Sequence, residues 1–305
     1  MTTAIDLFAG AGGFTEGARM AGVHVAWAAN HWPTAVQVHA NNHPDTQHIC
    51  QDLQQADWTQ VPRHDLLLAS PACQGHSRAR GKDKPHHDAA RATAWAVVSA
   101  AECHRPHAFV VENVETYAEW VLFPAWRMAM EALGYALSMQ VLDAADTGVP
   151  QNRPRLFVVG VRGRTPLPVP PGTSRHAPVA DVLDLGAGTW SLVDRPGRAP
   201  NTLARVARGR AQFGRRFVMP YYGGGSGLTG RDLRRPIGTI TTRDRWAVVD
   251  GDRMRMLRVE EYRAAMGFGG GYHLTGNRRL DIHMLGNAVC PPMAAHVVRH
   301  VMEHA

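Results

Sequence analysis

Apolar positions in the first half of the chain gather into short continuous runs, separated by stretches of helical period. Ile5 to Phe8, Val23 to Ala29, Leu66 to Ala69, Phe109 to Val111 and Leu156 to Val161 read as strands. Phe14 to Ala21, Thr34 to Asn41, Ala89 to Glu102 and Phe123 to Leu133 read as helices. Regular alternation of the two predicts an α/β fold, with a mostly parallel sheet covered on both faces. Ligands of such sheets bind beyond the carboxyl ends of the strands. Residues that follow these strands are therefore the first candidates for function.

The alternation stops near Thr165. Thr165 to Gly172 is proline-rich and reads as a linker. Beyond it the periodicity is weak, arginines are frequent, and Gly223 to Gly227 forms a glycine loop. Ile237 to Thr242 and Trp246 to Val249 look like strands that close this region. Arg258 to Met266 and Pro291 to Met302 read as helices, the second returning to the first domain. The expected organisation is a first domain over residues 1–164, an irregular one over 165–256, and a return over 257–305. There is no internal repeat.

A chain of 305 residues, 45% of them hydrophobic, can fill a large core, which excludes general disorder. No run has the length of a membrane span, and no signal-like start is visible. The expectation is a soluble, cytoplasmic protein. The four cysteines, Cys50, Cys73, Cys103 and Cys290, form no C-x-x-C pair, so no zinc or other metal site is expected despite 17 histidines. The net charge is +7, with much of the excess in Arg205 to Arg216 and Arg231 to Arg245. That suits phosphate contact, and equally a solvated basic surface.

Four segments carry candidate chemistry. Asp6 to Phe14 runs from a strand through glycines into a helix, which lets a ligand approach the backbone at a helix N-terminus. The pattern is G-x-G-G rather than G-x-G-x-x-G, and Asn30-His31 stand where a nicotinamide enzyme carries an acid. Ala69 to Ser77 places Cys73 in a polar loop directly after a buried strand. Glu112, at the end of another strand, faces the same sheet edge. Arg153 and Arg155 are two apart, so on an extended strand they share a face.

In order along almost the whole chain, Asp6 to Gly13, Ser70 to Ser77, Glu112 to Val114, Gln151 to Arg155, Arg235 to Thr241 and Gly286 to Val289 resemble the motifs of the cytosine-5 DNA methyltransferase family of bacterial or phage type. The resemblance implies a Rossmann-like S-adenosyl-L-methionine-dependent methyltransferase fold with a small target-recognition domain. It implies Cys73 as the thiolate that adds to carbon 6 of a flipped cytosine. Glu112, protonated, would hydrogen-bond N3 and the exocyclic amine, and Asn113 would fix the loop. Arg155 would hold O2, and Arg153 would support the nucleophile loop. The methyl-donor pocket would comprise Asp6, Phe8, Gly10, Gly12, Gly13, Asp52, Leu53, Pro71, Asn287 and Val289, with S-adenosyl-L-homocysteine as product. The loop after Cys73 would close over the base. Double-stranded DNA would meet Gln74, Ser77, Arg78, Arg80, Lys82, Gln151, Arg235, Thr241, Tyr221 and Tyr222. The enzyme would act as a monomer, in restriction-modification or in a phage.

Two departures stand out. Ala72 replaces the second proline of the family's Pro-Pro-Cys, which loosens the turn but keeps the thiol. Asn30-His31-Trp32 replaces the acid that holds the donor's ribose. His31 or Asn30 is expected to supply that hydrogen bond, with Trp32 near adenine. The competing readings are cytosine methylation of transfer RNA, an inactive DNA-binding relative, and a nicotinamide oxidoreductase.

Overall fold

The computed structural model describes residues 2–72, 92–163, 165–221 and 230–305. Cys73, Gln74, Ser77, Arg78, Arg80, Lys82 and Tyr222 lie outside them. The chain divides into two compact units: residues 1–143, 154–173 and 288–305, and residues 144–153 and 174–287. Residues 257–287 thus group with the second unit, and only the last helix returns to the first.

The first unit is built on a seven-stranded sheet. Its strands are β1 (Thr3–Leu7), β2 (His24–Asn30), β3 (Gln47–Cys50), β4 (Leu66–Ala69), β5 (Ala108–Asn113), β6 (Tyr135–Asp143) and β7 (Pro154–Arg162), in the order β3-β2-β1-β4-β5-β7-β6. β1 to β5 are parallel, and β7 runs antiparallel between β5 and β6. β4 and β5 are buried at every position, as the continuous apolar runs require of strands covered on both faces. The helices are α1 (Gly13–Met20), α2 (Pro33–Asn42), α3 (Trp95–His104), α4 (Phe123–Ala132) and, from the end of the chain, α8 (Pro291–His304). α3 ends at Arg105, whose left-handed φ of 51° stops it just before Pro106. The aromatic rings of Phe109, Tyr117, Phe123 and Trp126 pack edge-on or stacked beside β5. Gly17 lets α1 and α8 approach closely: a Cβ there would lie 2.7 Å from the Pro291 carbonyl oxygen and 2.9 Å from the Ala295 nitrogen. The proline-rich stretch lies against α8, where His300 and His296 bond the Pro168 and Pro170 carbonyls.

The second unit has its own five-stranded antiparallel sheet and core. Its strands are β8 (Ser191–Leu192), β9 (Arg216–Pro220), β10 (Arg231–Asp232), β11 (Trp246–Asp250) and β12 (Arg253–Met256), ordered β10-β9-β11-β12-β8. The helices are α5 (Pro200–Phe213), α6 (Val259–Ala265) and α7 (Arg278–Asn287). The strand expected over Ile237 to Thr242 is absent. Ile237 makes only an isolated parallel bridge to Gln151, and Ile240 N–H goes to the Gln151 side chain at 2.7 Å instead of to a neighbouring strand.

Candidate active site

β1 leads into a turn with three left-handed positions among five residues: Phe8 (φ 60°), Gly10 (φ 54°) and Gly12 (φ 91°). Glycine adopts this region freely, whereas Phe8 bears a cost of roughly 1 kcal/mol, and such outliers gather at functional sites. The turn is pinned by Ala9 N–H to the Ala29 carbonyl at 3.0 Å and Gly12 N–H to the Ala9 carbonyl at 2.9 Å. α1 then starts at Gly13 with no side-chain cap. Phe8, Ala9 and Gly10 are partly exposed, while residues 11–14 are buried. Gly13 is required by Val289, whose backbone occupies the space that a Cβ would take.

Asp6 does not line this turn. It is fully buried, so no bound molecule reaches it from solvent, and its Oδ2 accepts from the Thr15 hydroxyl at 2.8 Å. The same hydroxyl meets His39 Nε2 at 3.0 Å, and His39 Nδ1 meets His48 Nε2 at 2.7 Å. Burial, partly opposed by the Thr15 hydrogen bonds, raises the Asp6 carboxyl from 3.8 to about 7. Burial, then the neighbouring His43 and His48, lowers His39 well below its usual range. Burial also takes His43 down to about 4. Sequence reasoning missed this polar chain, because its members lie on β1, α1, α2 and β3 with no motif spacing.

The carboxyl ends of β2, β3 and β4 carry the remaining donor-pocket candidates of the first unit. Asn30 is buried and its Oδ1 accepts from Trp32 N–H at 2.9 Å. His31 is exposed, and Trp32, half-buried, caps α2. Asp52 is exposed and accepts from Gln54 N–H at 3.0 Å, while Leu53 and Pro71 are buried.

At the end of β5, Glu112 pairs with Arg155 of β7, Oε1 to Nε 3.1 Å, and both are largely buried. Asn113 donates its amide to the Pro71 carbonyl at 3.0 Å. The next two residues of the chain are Ala72 and Cys73. A carboxylate, an arginine and the peptide preceding the cysteine thus converge on one sheet edge.

In the second unit, several candidates serve the scaffold. Gln151 is fully buried rather than available to DNA: its amide donates to the Ala265 carbonyl at 3.1 Å and accepts from Ile240. Arg153 is also buried, and its guanidinium bonds the Ile240 and Gly286 carbonyls, each at 2.8 Å. Arg155 belongs to the first unit, at the start of β7 beside Pro154. Three motif segments, 151–155, 235–241 and 286–289, owe part of their pattern to this interlock. Gly286 presses on the Thr241 backbone, where no Cβ fits. Tyr221 packs on the second core, and its hydroxyl accepts from Arg198 at 3.0 Å. Arg235 and Asn287 are exposed, and Thr241 is half-buried.

The sheet order, the strained glycine turn and the polar edge define an α/β methyltransferase fold. The chain belongs to the C-5 cytosine-specific DNA methylase family, whose family model matches residues 2–193. It is 28% identical to the Type II methyltransferase M1.HphI of Haemophilus parahaemolyticus, over 99% of this chain and 87% of that one. It is 33% identical to M.AgeI of Thalassovita gelatinovora, over 51% of this chain and 38% of that one. In fold it matches a Spodoptera frugiperda DNMT2 mutant at TM-score 0.71 and 15% identity, covering 99% of this chain and 100% of that one. Among the described residues no helix is long and apolar enough to cross a membrane, and no cluster of three or more metal-ligating side chains occurs.

Proposed function

We propose that this chain is a DNA cytosine-5 methyltransferase of the modification type, acting on a cytosine flipped out of duplex DNA. The observation that carries the reading is the Glu112–Arg155 pair, beside a peptide that Asn113 ties two residues before Cys73. The Cys73 thiolate adds to carbon 6, and the electron pair of the 5,6 double bond becomes available at carbon 5. Glu112 holds a proton at N3, where negative charge develops, and Arg155 binds O2. After transfer a base takes the carbon 5 proton, and the thiolate leaves carbon 6. These contacts use the Watson–Crick edge, which is reachable only outside the duplex.

The residues present suit S-adenosylmethionine. The partly exposed turn at Phe8 and Gly10 lets a ligand approach the backbone just before α1, whose N-terminus favours a carboxylate. Exposed Asp52 can accept from an adenine amine, with Trp32 beside it in role, and His31 or the Asn30 amide can bond a ribose hydroxyl. When bound, the donor supplies an electrophilic methyl group and leaves as S-adenosylhomocysteine. The Type II relatives support a role in restriction-modification, and the basic second unit supports phosphate contact through residues such as Arg235.

The test is conversion-based sequencing of DNA from a methylation-free host expressing the protein, beside Cys73→Ser. Modified cytosines in one short motif, lost in the variant, are the expected result. Unmodified DNA from folded wild-type protein refutes the DNA reading and points to transfer RNA.

A further inference from the structure

Ala72 restores a backbone N–H where the family has a proline, and that N–H has a partner. It donates to the Thr93 hydroxyl at 3.2 Å. The carbonyl of the same peptide unit, that of Pro71, accepts from Asn113 at 3.0 Å. Both polar ends of the Pro71–Ala72 peptide plane are therefore tied, and Cys73 follows it directly.

Neither partner is loosely held. Asn113 is buried at the end of β5, and its own Oδ1 accepts from Val114 N–H at 2.9 Å. Thr93 precedes Ala94, whose carbonyl accepts from the fully buried Trp126 indole at 3.0 Å. The peptide is thus fastened on one side to the central sheet and on the other to the core beneath α4. Proline restrains its residue by locking φ and has no N–H to donate. Here a hydrogen bond supplies the restraint that the ring would give.

We propose that Thr93 is a positioning residue for the nucleophile, its hydroxyl replacing the second proline by holding the Ala72 amide in front of Cys73. The proposal rests on the reading of Cys73 as nucleophile. Misplacement of a reacting group by about an ångström can cost about 100-fold in rate.

Thr93→Val removes the hydroxyl at nearly constant shape, Thr93→Ser keeps it, and Ala72→Pro removes its donor. Three quantities are read: hydrogen exchange of the residue 72 amide, single-turnover methylation of duplex DNA, and the S-adenosylmethionine dissociation constant. Thr93→Val is expected to speed exchange at residue 72 and slow single turnover about 2- to 10-fold, the range for one hydrogen bond. Donor affinity stays within about twofold and Thr93→Ser retains the wild-type rate. Combined with Ala72→Pro, Thr93→Val carries no further loss. If Thr93→Val turns over as fast as wild type, or loses as much in the proline background, the proposal is wrong. The comparison of Thr93→Val with Thr93→Ser decides the matter even if the proline variants do not fold. An inactive wild type refutes the reading of Cys73 and the proposed role with it. An active wild type with an indifferent Thr93→Val refutes the role alone.

Discussion

Replacing Asp6 by asparagine should change how stability depends on pH, by an amount set by the burial of one carboxyl. In the folded chain that carboxyl titrates near 7, against 3.8 ordinarily. The native state therefore keeps a proton that the unfolded chain releases between about pH 4 and 7. Below pH 4 both states hold it, and the group costs nothing. As pH rises, folding must retain a proton that solvent would take, and stability falls until the native carboxyl also ionises. At about 1.4 kcal/mol per pH unit, the loss accumulated by pH 8 is ~4 kcal/mol. The buried histidines run the other way. His43 and His64 are lowered to about 4, so their stabilising contribution is full above 6.5 and disappears as pH falls through 4. They are present in both proteins and cancel in a difference. Urea unfolding of wild type and Asp6→Asn at half-unit steps from pH 4 to 8 isolates Asp6. The difference should grow in favour of the variant by about 2–4 kcal/mol across that window. A difference constant to within about 0.5 kcal/mol would show that Asp6 is an ordinary ionised carboxylate and that its burial has been misjudged.

Other perturbations test other parts of the molecule. Glu261 and Arg255 form a pair 2% exposed on each side. Glu261→Gln strands a buried guanidinium, so thermal unfolding should report a loss of about 3–5 kcal/mol, and a loss below about 1 would refute the argument. Gly17→Ala places a methyl against α8 and should cost about 1–3 kcal/mol in denaturant unfolding, unless the two helices can separate freely. His31→Ala should weaken S-adenosylmethionine binding in calorimetry, and an unchanged dissociation constant removes His31 from the ribose contact. Glu112→Gln should lower single-turnover methylation by at least tenfold with donor binding intact, the expectation for a group that acts on the base alone.

Continuous apolar runs made the central sheet legible. Leu66 to Ala69 appears with the bounds read from sequence, and β1, β2, β5 and β7 differ only at their ends. β6 escaped notice because it is a half-exposed edge strand of mixed alternation, with Met139 and Val141 outward. α5 was missed for a different reason. Its buried positions are Thr202, Val206 and Gly209, correctly spaced for a helix but small. Gly209 is there because the Phe217 ring fills the space of a side chain. An apolar-periodicity reading counts bulk, and this interface is made by its absence. Among the site residues, Glu112 and Asn113 could be placed from their strand. Gln151 and Arg153 could not, because a polar side chain reads alike whether it meets substrate or a buried carbonyl. Thr93 gave no signal at all, since its partner is a backbone N–H made available by Ala72.

The close seat of α8 on α1 also sets a timetable for synthesis. Gly17 leaves the ribosome early, but the alanines that cover it, Ala294 and Ala295, are made ~280 residues later, roughly 15–55 s at about 5–20 residues per second. Throughout that interval the helix that opens at the glycine turn has an uncovered face, and Val289, which backs Gly13, does not yet exist. A nascent chain can pair its strands and close the turn as they emerge, yet it cannot cover the helix that follows. Newly made protein should therefore bury the open face of α1 only once α8 has emerged, and a chain interrupted before residue 289 should keep that face in solvent.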